Sequence, residues 1–211
     1  MSIIREFVRH PFRTGAVAAS SRWLARAMTD GLGLEQARVV VELGPGTGAI
    51  TSAILPRLAP GARLVAVELN PTLAAQLADR HRDRPIEVVN GSAADLAELV
   101  GERVDAVVSG LPWAVMPESV QRGILDSVAE VLRDNGSFAT FAYVHAAWSP
   151  PARRFAAELA GRFAVLERSP VVWPNLPPAF VHRAVMPRRG PGATAAARPA
   201  AAPVAAPVAG A

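Results

Sequence analysis

Residues 39–48 read Val-Val-Val-Glu-Leu-Gly-Pro-Gly-Thr-Gly, and this stretch decides the fold of the chain. Four of its first five side chains are apolar, without the polar alternation of a half-buried strand. Such a run is typical of a strand buried on both faces, as in a parallel sheet. Three alternating glycines follow, and then a helical pattern at 48–58. The stretch therefore predicts a strand, a tight turn and a helix, with a ligand site at the carboxyl end of the first strand.

The rest of the chain repeats this alternation of strands and helices. Further strands are predicted at 63–68, 86–90, 104–109 and 137–144, and further helices at 71–82, 93–99, 117–133 and 150–160. Two last apolar stretches, 163–173 and 179–186, are joined too closely for a crossover helix, so we expect them to pair antiparallel. The predicted fold class is α/β: a Rossmann-like, seven-stranded, mostly parallel sheet with helices on both faces and an antiparallel C-terminal hairpin.

The chain divides into three regions by composition. Residues 1–33 hold two amphipathic helical patterns, at 2–9 and at about 20–30, and we expect this region to lie on a membrane surface or to cover the ligand cleft. Residues 34–187 carry the strand–helix alternation and are predicted to form the catalytic domain. Residues 188–211 are rich in Pro, Ala and Gly, which predicts a disordered tail.

Composition excludes several classes of protein. The 211 residues include no cysteine, so we expect neither disulfides nor a thiolate metal site, and the four histidines do not fall at metal-ligand spacing. No apolar run is long enough for a transmembrane helix, and the N-terminus lacks the apolar core of a secretory signal. The formal charge of +4 permits nucleic acid or an anionic membrane as partner without choosing between them.

Two acidic residues end the first two predicted strands. Glu68 lies 20 residues after Gly48, where a carboxylate can accept both hydroxyls of a ribose. Glu42 lies directly before the glycines, where it would repel a pyrophosphate and attract a cation. The glycine spacing is also shorter than that of the dinucleotide fingerprint. Together these features favour a ribose-bearing, cationic cofactor without phosphates.

Four segments resemble motifs of the class I S-adenosylmethionine-dependent methyltransferases: 41–48, 67–70, 91–93 and 109–113. The resemblance extends from about residue 7 to residue 187 and implies S-adenosyl-L-methionine as cofactor. It implies that Glu42, Gly44 and Gly46 line the methionine part, that Glu68 holds the ribose hydroxyls, and that Ser92 lies near the adenine. The full set of cofactor residues that it implies is Glu42, Gly44, Pro45, Gly46, Thr47, Gly48, Glu68, Leu69, Ser92, Ala93 and Ser109.

Two families with these motifs offer different methyl acceptors. One is the rRNA adenine dimethyltransferases, whose motif Asn-(Leu/Ile)-Pro-(Tyr/Phe) presents an acceptor to the adenine amine. This chain has Gly110-Leu111-Pro112-Trp113 instead, and glycine has no side-chain acceptor. We also expect no C-terminal RNA-binding helical domain after residue 187. An rRNA adenine N6-dimethyltransferase-like enzyme is therefore the alternative rather than the leading hypothesis.

The leading hypothesis comes from a resemblance to the bacterial phospholipid N-methyltransferases. Residues 109–113 resemble that family's Ser-Gly-Leu-Pro motif, and residues 173–183 and 15–21 resemble two further segments of it. The resemblance implies methylation of phosphatidylethanolamine, and of its methylated intermediates toward phosphatidylcholine. It implies a cytoplasmic protein peripheral to the inner face of an anionic plasma membrane, without a stable nucleic-acid partner. His182 departs from the aromatic residue that the family pattern has there.

An ethanolamine nitrogen must lose a proton before it attacks, so a general base is useful. The candidate catalytic residues are Tyr143, His145 and His182. The candidate substrate-binding residues are Gly110, Leu111, Pro112, Trp113 and Arg183. Arg183 is the candidate for the lipid phosphate because the guanidinium fork matches phosphate oxygens, although it is also placed to pair with Glu167 across the hairpin. A cofactor-binding module without catalysis is a third hypothesis, disfavoured by the intact glycines and acids.

Overall fold

A computed structural model describes residues 20–188 of the chain. Its seven strands form one sheet in the order β3-β2-β1-β4-β5-β7-β6. They are β1 (Val39–Leu43), β2 (Arg63–Glu68), β3 (Ile86–Asn90), β4 (Val104–Ser109), β5 (Leu132–Tyr143), β6 (Phe163–Arg168) and β7 (Ala179–Pro187). Strands β1 to β5 pair in parallel, and β7 lies antiparallel between β5 and β6. The predicted fold class, including the antiparallel C-terminal hairpin, is confirmed.

Within residues 20–188, six α-helices pack around this sheet. They are α1 (Arg22–Thr29), α2 (Thr51–Ile54), α3 (Pro71–Arg80), α4 (Leu96–Val100), α5 (Glu118–Val131) and α6 (Pro150–Arg162). Helix α1 begins where predicted, because the Ser21 hydroxyl accepts a hydrogen bond from Leu24 N at 3.2 Å. Helix α2 is shorter than the predicted 48–58 and passes into a 3-10 turn at Leu55–Arg57. The cause is Pro56, which has no N–H to donate to the helix.

The apolar run of β1 is explained by burial on both faces of the sheet. Val39, Val41 and Leu43 pack on one face in a cluster with helices α4, α5 and α6. Val40 packs on the other face with residues of α1 and α2. Every residue of β1 is buried. A strand in this position has no solvent face, so no polar alternation is expected.

The register of the C-terminal hairpin decides which side chains reach the ligand cleft. In β7, His182 pairs with Arg168 of β6, and the next residue, Arg183, pairs with Glu167. Successive side chains of a strand point to opposite faces of the sheet. His182 and Arg183 therefore cannot both face the same cavity.

Two predicted regions lie outside the described residues. The helix predicted at 2–9 and nearly all of the tail after residue 188 fall in the ranges 1–19 and 189–211. The boundaries proposed for the three regions of the chain thus stay predictions. Within residues 20–188, no helix is both long enough and apolar enough to cross a membrane.

Candidate active site

Glu42 is a fully buried carboxylate at the carboxyl end of β1. Thr51 Oγ1 donates a hydrogen bond of 2.6 Å to its Oε2. Its Oε1 is buried without a hydrogen-bond partner among residues 20–188. Burial raises the pKa of Glu42 to about 7, although the hydrogen bond from Thr51 acts in the opposite direction. An unpaired, buried acceptor is costly, so this oxygen is suited to a donor or cation that enters with a ligand.

The glycine loop after β1 supplies a turn that other residues do not tolerate. Gly44, Gly46 and Gly48 have φ angles of 66°, 55° and 83°, in the left-handed region that favours glycine. A Cβ added at Gly44 would lie 2.7 Å from Leu111 Cδ2, whereas one at Gly46 would meet no atom within 4 Å. The loop is thus tightly packed at Gly44 against the turn after β4 and open at Gly46, where a ligand can approach the backbone.

Glu68 ends β2 and holds the glycine loop in place. Its Oε2 accepts a hydrogen bond from Gly46 N at 3.0 Å, and its Oε1 accepts one from Asn70 N at 2.9 Å. The side chain is nearly buried, with 7% of the residue exposed. A carboxylate has about four acceptor positions, so each oxygen retains one for a further donor. This geometry is compatible with the predicted hydrogen bonds to ribose hydroxyls.

The other predicted cofactor residues lie along the same edge of the sheet. Ser92 and Ala93 follow β3, next to Glu68, whose carbonyl accepts a hydrogen bond from Gly91 N at 3.1 Å. Leu69 lies between Glu68 and Asn70, which caps α3. Ser109 ends β4 beside Leu43 of β1; it is fully buried, and its hydroxyl accepts the N–H of Leu111 at 3.3 Å. Its side chain stabilises the turn after β4. Of the predicted cofactor residues, Gly44, Pro45, Gly46 and Thr47 line the cavity described next.

A cavity of ≈ 560 Å³ extends from the glycine loop across the carboxyl ends of β4 and β5 to β7. Most of its lining is apolar, with aromatic rings from Trp113, Phe141, Phe155 and Phe180. The ionisable groups that line it are Tyr143, His145, Arg153, Arg168 and His182. No Asp or Glu is among the described lining residues. The cavity therefore joins the loop predicted to hold the cofactor to a compartment with two cations and no carboxylate.

The predicted acceptor motif contributes its residues 110–113 to this cavity. A Cβ added at Gly110 would lie 2.8 Å from the carbonyl oxygen of Gly44, closer than real contacts allow. Glycine at position 110 therefore allows close contact between the backbone just after β4 and the backbone of the glycine loop at Gly44. Trp113 is 3% exposed, and its ring stacks on Phe155 with centroids 4.8 Å apart. One face of this indole is thus covered by the protein itself.

The three candidate catalytic residues lie around the cavity in different environments. Burial, and secondarily the charge of Arg168, lower the pKa of His182 to about 4, so its imidazole is neutral at physiological pH. Burial raises the pKa of Tyr143, which keeps the phenol protonated. The Tyr143 ring stacks on His145 with centroids 5.7 Å apart. His145 is exposed at the mouth of the cavity, where a proton can pass to water.

Arg183 does not contribute to the cavity, contrary to the sequence-based expectation. Its Nη2 donates a 2.9 Å hydrogen bond to the carbonyl oxygen of Ala27, near the end of α1. The strand alternation of β7 turns it to the face opposite His182. The cavity cations are instead Arg153 of α6 and Arg168 of β6, and the Arg168 guanidinium lies 3.4 Å from the centroid of the Phe180 ring. Sequence reasoning missed both, and the signal for Arg168 was its place opposite His182 in the hairpin register.

Comparisons with known proteins agree with this arrangement. A family model described as a methyltransferase domain matches residues 40–136. An ornithine lipid N-methyltransferase of Singulisphaera acidiphila is 38% identical over 138 residues, which cover 63% of this chain and 72% of that protein. A ribosomal RNA small subunit methyltransferase A of Kineococcus radiotolerans is 46% identical over 82 residues, but these cover 36% of this chain and 26% of that protein.

The fold is also similar to that of Aeropyrum pernix fibrillarin in complex with natively bound S-adenosyl-L-methionine. The TM-score is 0.62 at 22% identity, and the match covers 78% of this chain and 73% of that one. The chain belongs to the class I S-adenosylmethionine-dependent methyltransferases. The predicted cofactor, S-adenosyl-L-methionine, is thereby confirmed. The unpartnered oxygen of Glu42, the open backbone at Gly46 and the free acceptor positions of Glu68 fit its ammonium and ribose groups.

Proposed function

We propose that this protein methylates the primary amine of a membrane lipid whose head group also carries an anionic group. Phosphatidylethanolamine, with its phosphodiester, is the first candidate. An ornithine lipid, with a carboxylate, is the second, because a relative with that printed activity shares 38% identity with this chain. The observation that carries the proposal is the cavity beside the cofactor loop, in which two arginines and two histidines face no carboxylate among the described residues.

The lining charges favour an acceptor that brings a negative group with it. Arg153 and Arg168 form no ion pair with any carboxylate of residues 20–188. Guanidinium groups bind phosphate and carboxylate oxygens through paired hydrogen bonds. Stacking on Phe180 limits the positions that the Arg168 side chain can take, so it supports a fixed anion site. Arg168 thus takes the role that the sequence suggested for Arg183.

The acceptor amine must be uncharged when it attacks. The cofactor supplies a methyl group on a positively charged sulfur, which is already electrophilic, so the protein's own task is to position the amine and remove its proton. His182 is a poor base because its pKa is about 4, and we assign it the role of a neutral wall of the cavity. We assign proton removal to His145, which stacks on Tyr143 and is open to solvent.

The site supports an adenine acceptor less well. The rRNA adenine dimethyltransferases resemble this chain but have Asn where it has Gly110. A side chain at that position would collide with the Gly44 carbonyl, 2.8 Å from the added Cβ. The matches to two rRNA methyltransferase relatives cover 26% and 56% of those proteins, against 72% for the ornithine lipid N-methyltransferase. An alkyl amine needs no such acceptor, because its lone pair is not delocalised into a ring.

The test is to incubate the full chain with methyl-labelled S-adenosylmethionine and a choice of acceptors. The candidate acceptors are vesicles of phosphatidylethanolamine, vesicles of ornithine lipid, and total RNA. Vesicles of phosphatidylglycerol, which has no amine, are the control. We expect label in the lipid extract of an amine-bearing vesicle, and the more active lipid identifies the anion that the cavity binds. Label in the RNA fraction alone would refute the proposal and support the adenine alternative.

A further inference from the structure

Four large apolar side chains are exposed near the mouth of the cavity, and we call them the aromatic rim: Trp23, Trp148, Trp173 and Leu176. Their exposed fractions are 46%, 80%, 68% and 77%. Single exposed apolar residues are normal on a protein surface, but a group of tryptophans at one site is not. Tryptophan combines a large apolar ring with a polar N–H, which suits a boundary between apolar and aqueous media.

The rim residues come from three segments that hydrogen bonds hold together. Ser21 N, just before Trp23, donates to Asn175 Oδ1 at 3.0 Å, which joins the start of α1 to the loop that carries Trp173 and Leu176. Val144 N donates to the carbonyl of Pro178 at 2.9 Å, which joins the segment before Trp148 to that same loop. The three segments that carry the rim are therefore neighbours in the fold.

Each of the three rim segments also contributes to, or adjoins, the lining of the cavity. Ala147, which precedes Trp148, is a lining residue, and so is Ser20 at the start of the segment that carries Trp23. Val172, which precedes Trp173, bridges to Ala179, and the residue after that, Phe180, lines the cavity. A partner bound to the rim would thus cover the opening through which the acceptor enters.

The segments at the cavity mouth carry five arginines, at 22, 26, 153, 154 and 168. The acids next to these segments, Asp30, Glu118 and Glu158, form ion pairs with arginines. Of the five arginines, Arg154 pairs with Glu118. Arg22, Arg153 and Arg168 have no carboxylate partner among residues 20–188, and Arg22 lies over the Trp23 ring at 4.9 Å. Exposed indoles with unpaired arginines nearby match an anionic lipid surface, to which each nearby arginine adds attraction.

We propose that the aromatic rim docks onto an anionic bilayer with the cavity mouth facing the membrane. The inference rests on the proposed function, because a lipid acceptor then reaches the cavity without leaving the bilayer. It is independent of residues 1–19, where the sequence predicts another membrane-surface element. It gives a described, folded surface a role in membrane binding that the cofactor and acceptor sites do not require.

The test compares the full chain with the variant Trp148→Ala/Trp173→Ala in sedimentation with phosphatidylglycerol-containing vesicles. The matched control is Val165→Ser, since Val165 is a 40% exposed apolar residue on β6 outside the rim. We expect the double variant to lose at least fivefold in bound fraction, while its melting temperature and cofactor affinity stay unchanged. Sedimentation equal to that of the unmodified chain overturns the proposal. So does a change in oligomeric state without a change in vesicle binding, which would mean that the rim binds a second copy.

Activity separates this inference from the proposed function. On vesicles the double variant should show an apparent KM for lipid raised at least fivefold, whereas on a short-chain lipid dispersed as monomers its rate should be unchanged. If no lipid is methylated but vesicle binding still depends on the two tryptophans, the docking surface stands and the proposed reaction fails. If both lipid forms lose activity equally, the rim acts on the fold or the site, and the docking proposal fails.

Discussion

The two halves of the active-site edge carry opposite chemistry. The donor half, at the ends of β1 and β2, holds the buried carboxylates Glu42 and Glu68, each fixed by a hydrogen bond. The acceptor half, at the ends of β4, β5 and β7, is lined by arginine, histidine and aromatic side chains, with no carboxylate among the described lining residues. The two halves meet where Gly110 touches the Gly44 carbonyl, with no space for a side chain between them.

Under the proposed function, this contrast would distinguish the two ligands of the site. A cationic sulfonium ligand is attracted to carboxylates and repelled by arginines, whereas the proposed acceptor with an anionic group would experience the opposite. The field would then favour opposite positions for the two ligands before any close contact forms. Substitutions can weaken the donor half, the boundary and the acceptor half separately.

The largest effect is expected for Glu68→Ala in the donor half. The substitution removes the acceptor for Gly46 N and Asn70 N together with the predicted acceptor for the ribose hydroxyls. Loss of the two predicted charge-assisted hydrogen bonds to the ribose hydroxyls corresponds to about 1,000-fold weaker cofactor binding. Isothermal titration calorimetry with S-adenosylmethionine measures this change in affinity. The control is Glu87→Ala, which removes another β-strand carboxylate, one that pairs with Arg63; unaltered affinity in Glu68→Ala would refute the ribose assignment.

Glu42→Gln should change the pH dependence of stability. Burial raises the pKa of Glu42 from its ordinary value of 4.5 to about 7, so between these values the folded state binds more protons than the unfolded state. The contribution of Glu42 to stability therefore falls as the pH rises from 4.5 to 7 and stays low above that. The total loss of unfolding free energy across this range is on the order of 3 kcal/mol, since one pKa unit corresponds to about 1.4 kcal/mol. Gln cannot ionise, so the variant lacks this decline.

Urea unfolding at pH 5 and pH 8 measures this difference. We expect the stability of the native sequence to fall relative to Glu42→Gln by about 2–3 kcal/mol between the two pH values. Thr51→Val is the matched control, because it removes the hydrogen bond to Glu42 but leaves the ionisable group in place. Parallel pH profiles for the native sequence and Glu42→Gln would show that this carboxyl is not protonated in the folded protein.

The donor half could be predicted from the sequence far better than the acceptor half. Glu42 and the three glycines lie in one contiguous strand and turn, and Glu68 ends the neighbouring strand, so local pattern places all of them. The acceptor half depends on which face of the antiparallel hairpin borders the cleft. The pairing of Arg183 with Glu167 that the sequence suggested is the observed register, but Arg183 and His182 are successive residues of one strand and point to opposite faces. The sequence does not indicate which of the two faces borders the cleft, and the folded hairpin presents Arg168 and His182 there.

The packing contacts of Trp113 and Gly110 also could not be predicted from the sequence. The motif suggested Trp113 as a wall of the acceptor pocket, and it does line the cavity. Its stacking on Phe155, however, depends on helix α6 packing against the turn that carries Trp113. The reason for glycine at 110 is likewise a contact between chain segments 66 residues apart in sequence. Only the fold reveals that a larger residue would strike the Gly44 carbonyl.

Gly110→Asn tests this boundary between the halves. It introduces the residue of the adenine methyltransferase motif, but its Cβ would lie 2.8 Å from the Gly44 carbonyl and 3.4 Å from Ile50 Cδ1. We expect a stability loss of about 1–3 kcal/mol from overpacking, weaker cofactor binding, and no methylation of RNA. Gly123→Asn on α5 is the control, since a Cβ there meets nothing within 4 Å. A stable variant that labels RNA would show that residue 110 alone selects the acceptor.

The smallest effect, and the one that bears most directly on the acceptor half, is expected for Arg168→Ala. Loss of one charge-assisted hydrogen bond to the head-group anion should raise the apparent KM for lipid about 10-fold, with cofactor affinity unchanged. Arg183→Ala is the matched control from the neighbouring strand: it removes the hydrogen bond to Ala27 and should lower stability by about 1–2 kcal/mol without raising that KM. Steady-state assays on the same vesicles compare the two variants. A raised KM in Arg183→Ala alone would reverse the assignment and return the anion site to the opposite face of β7.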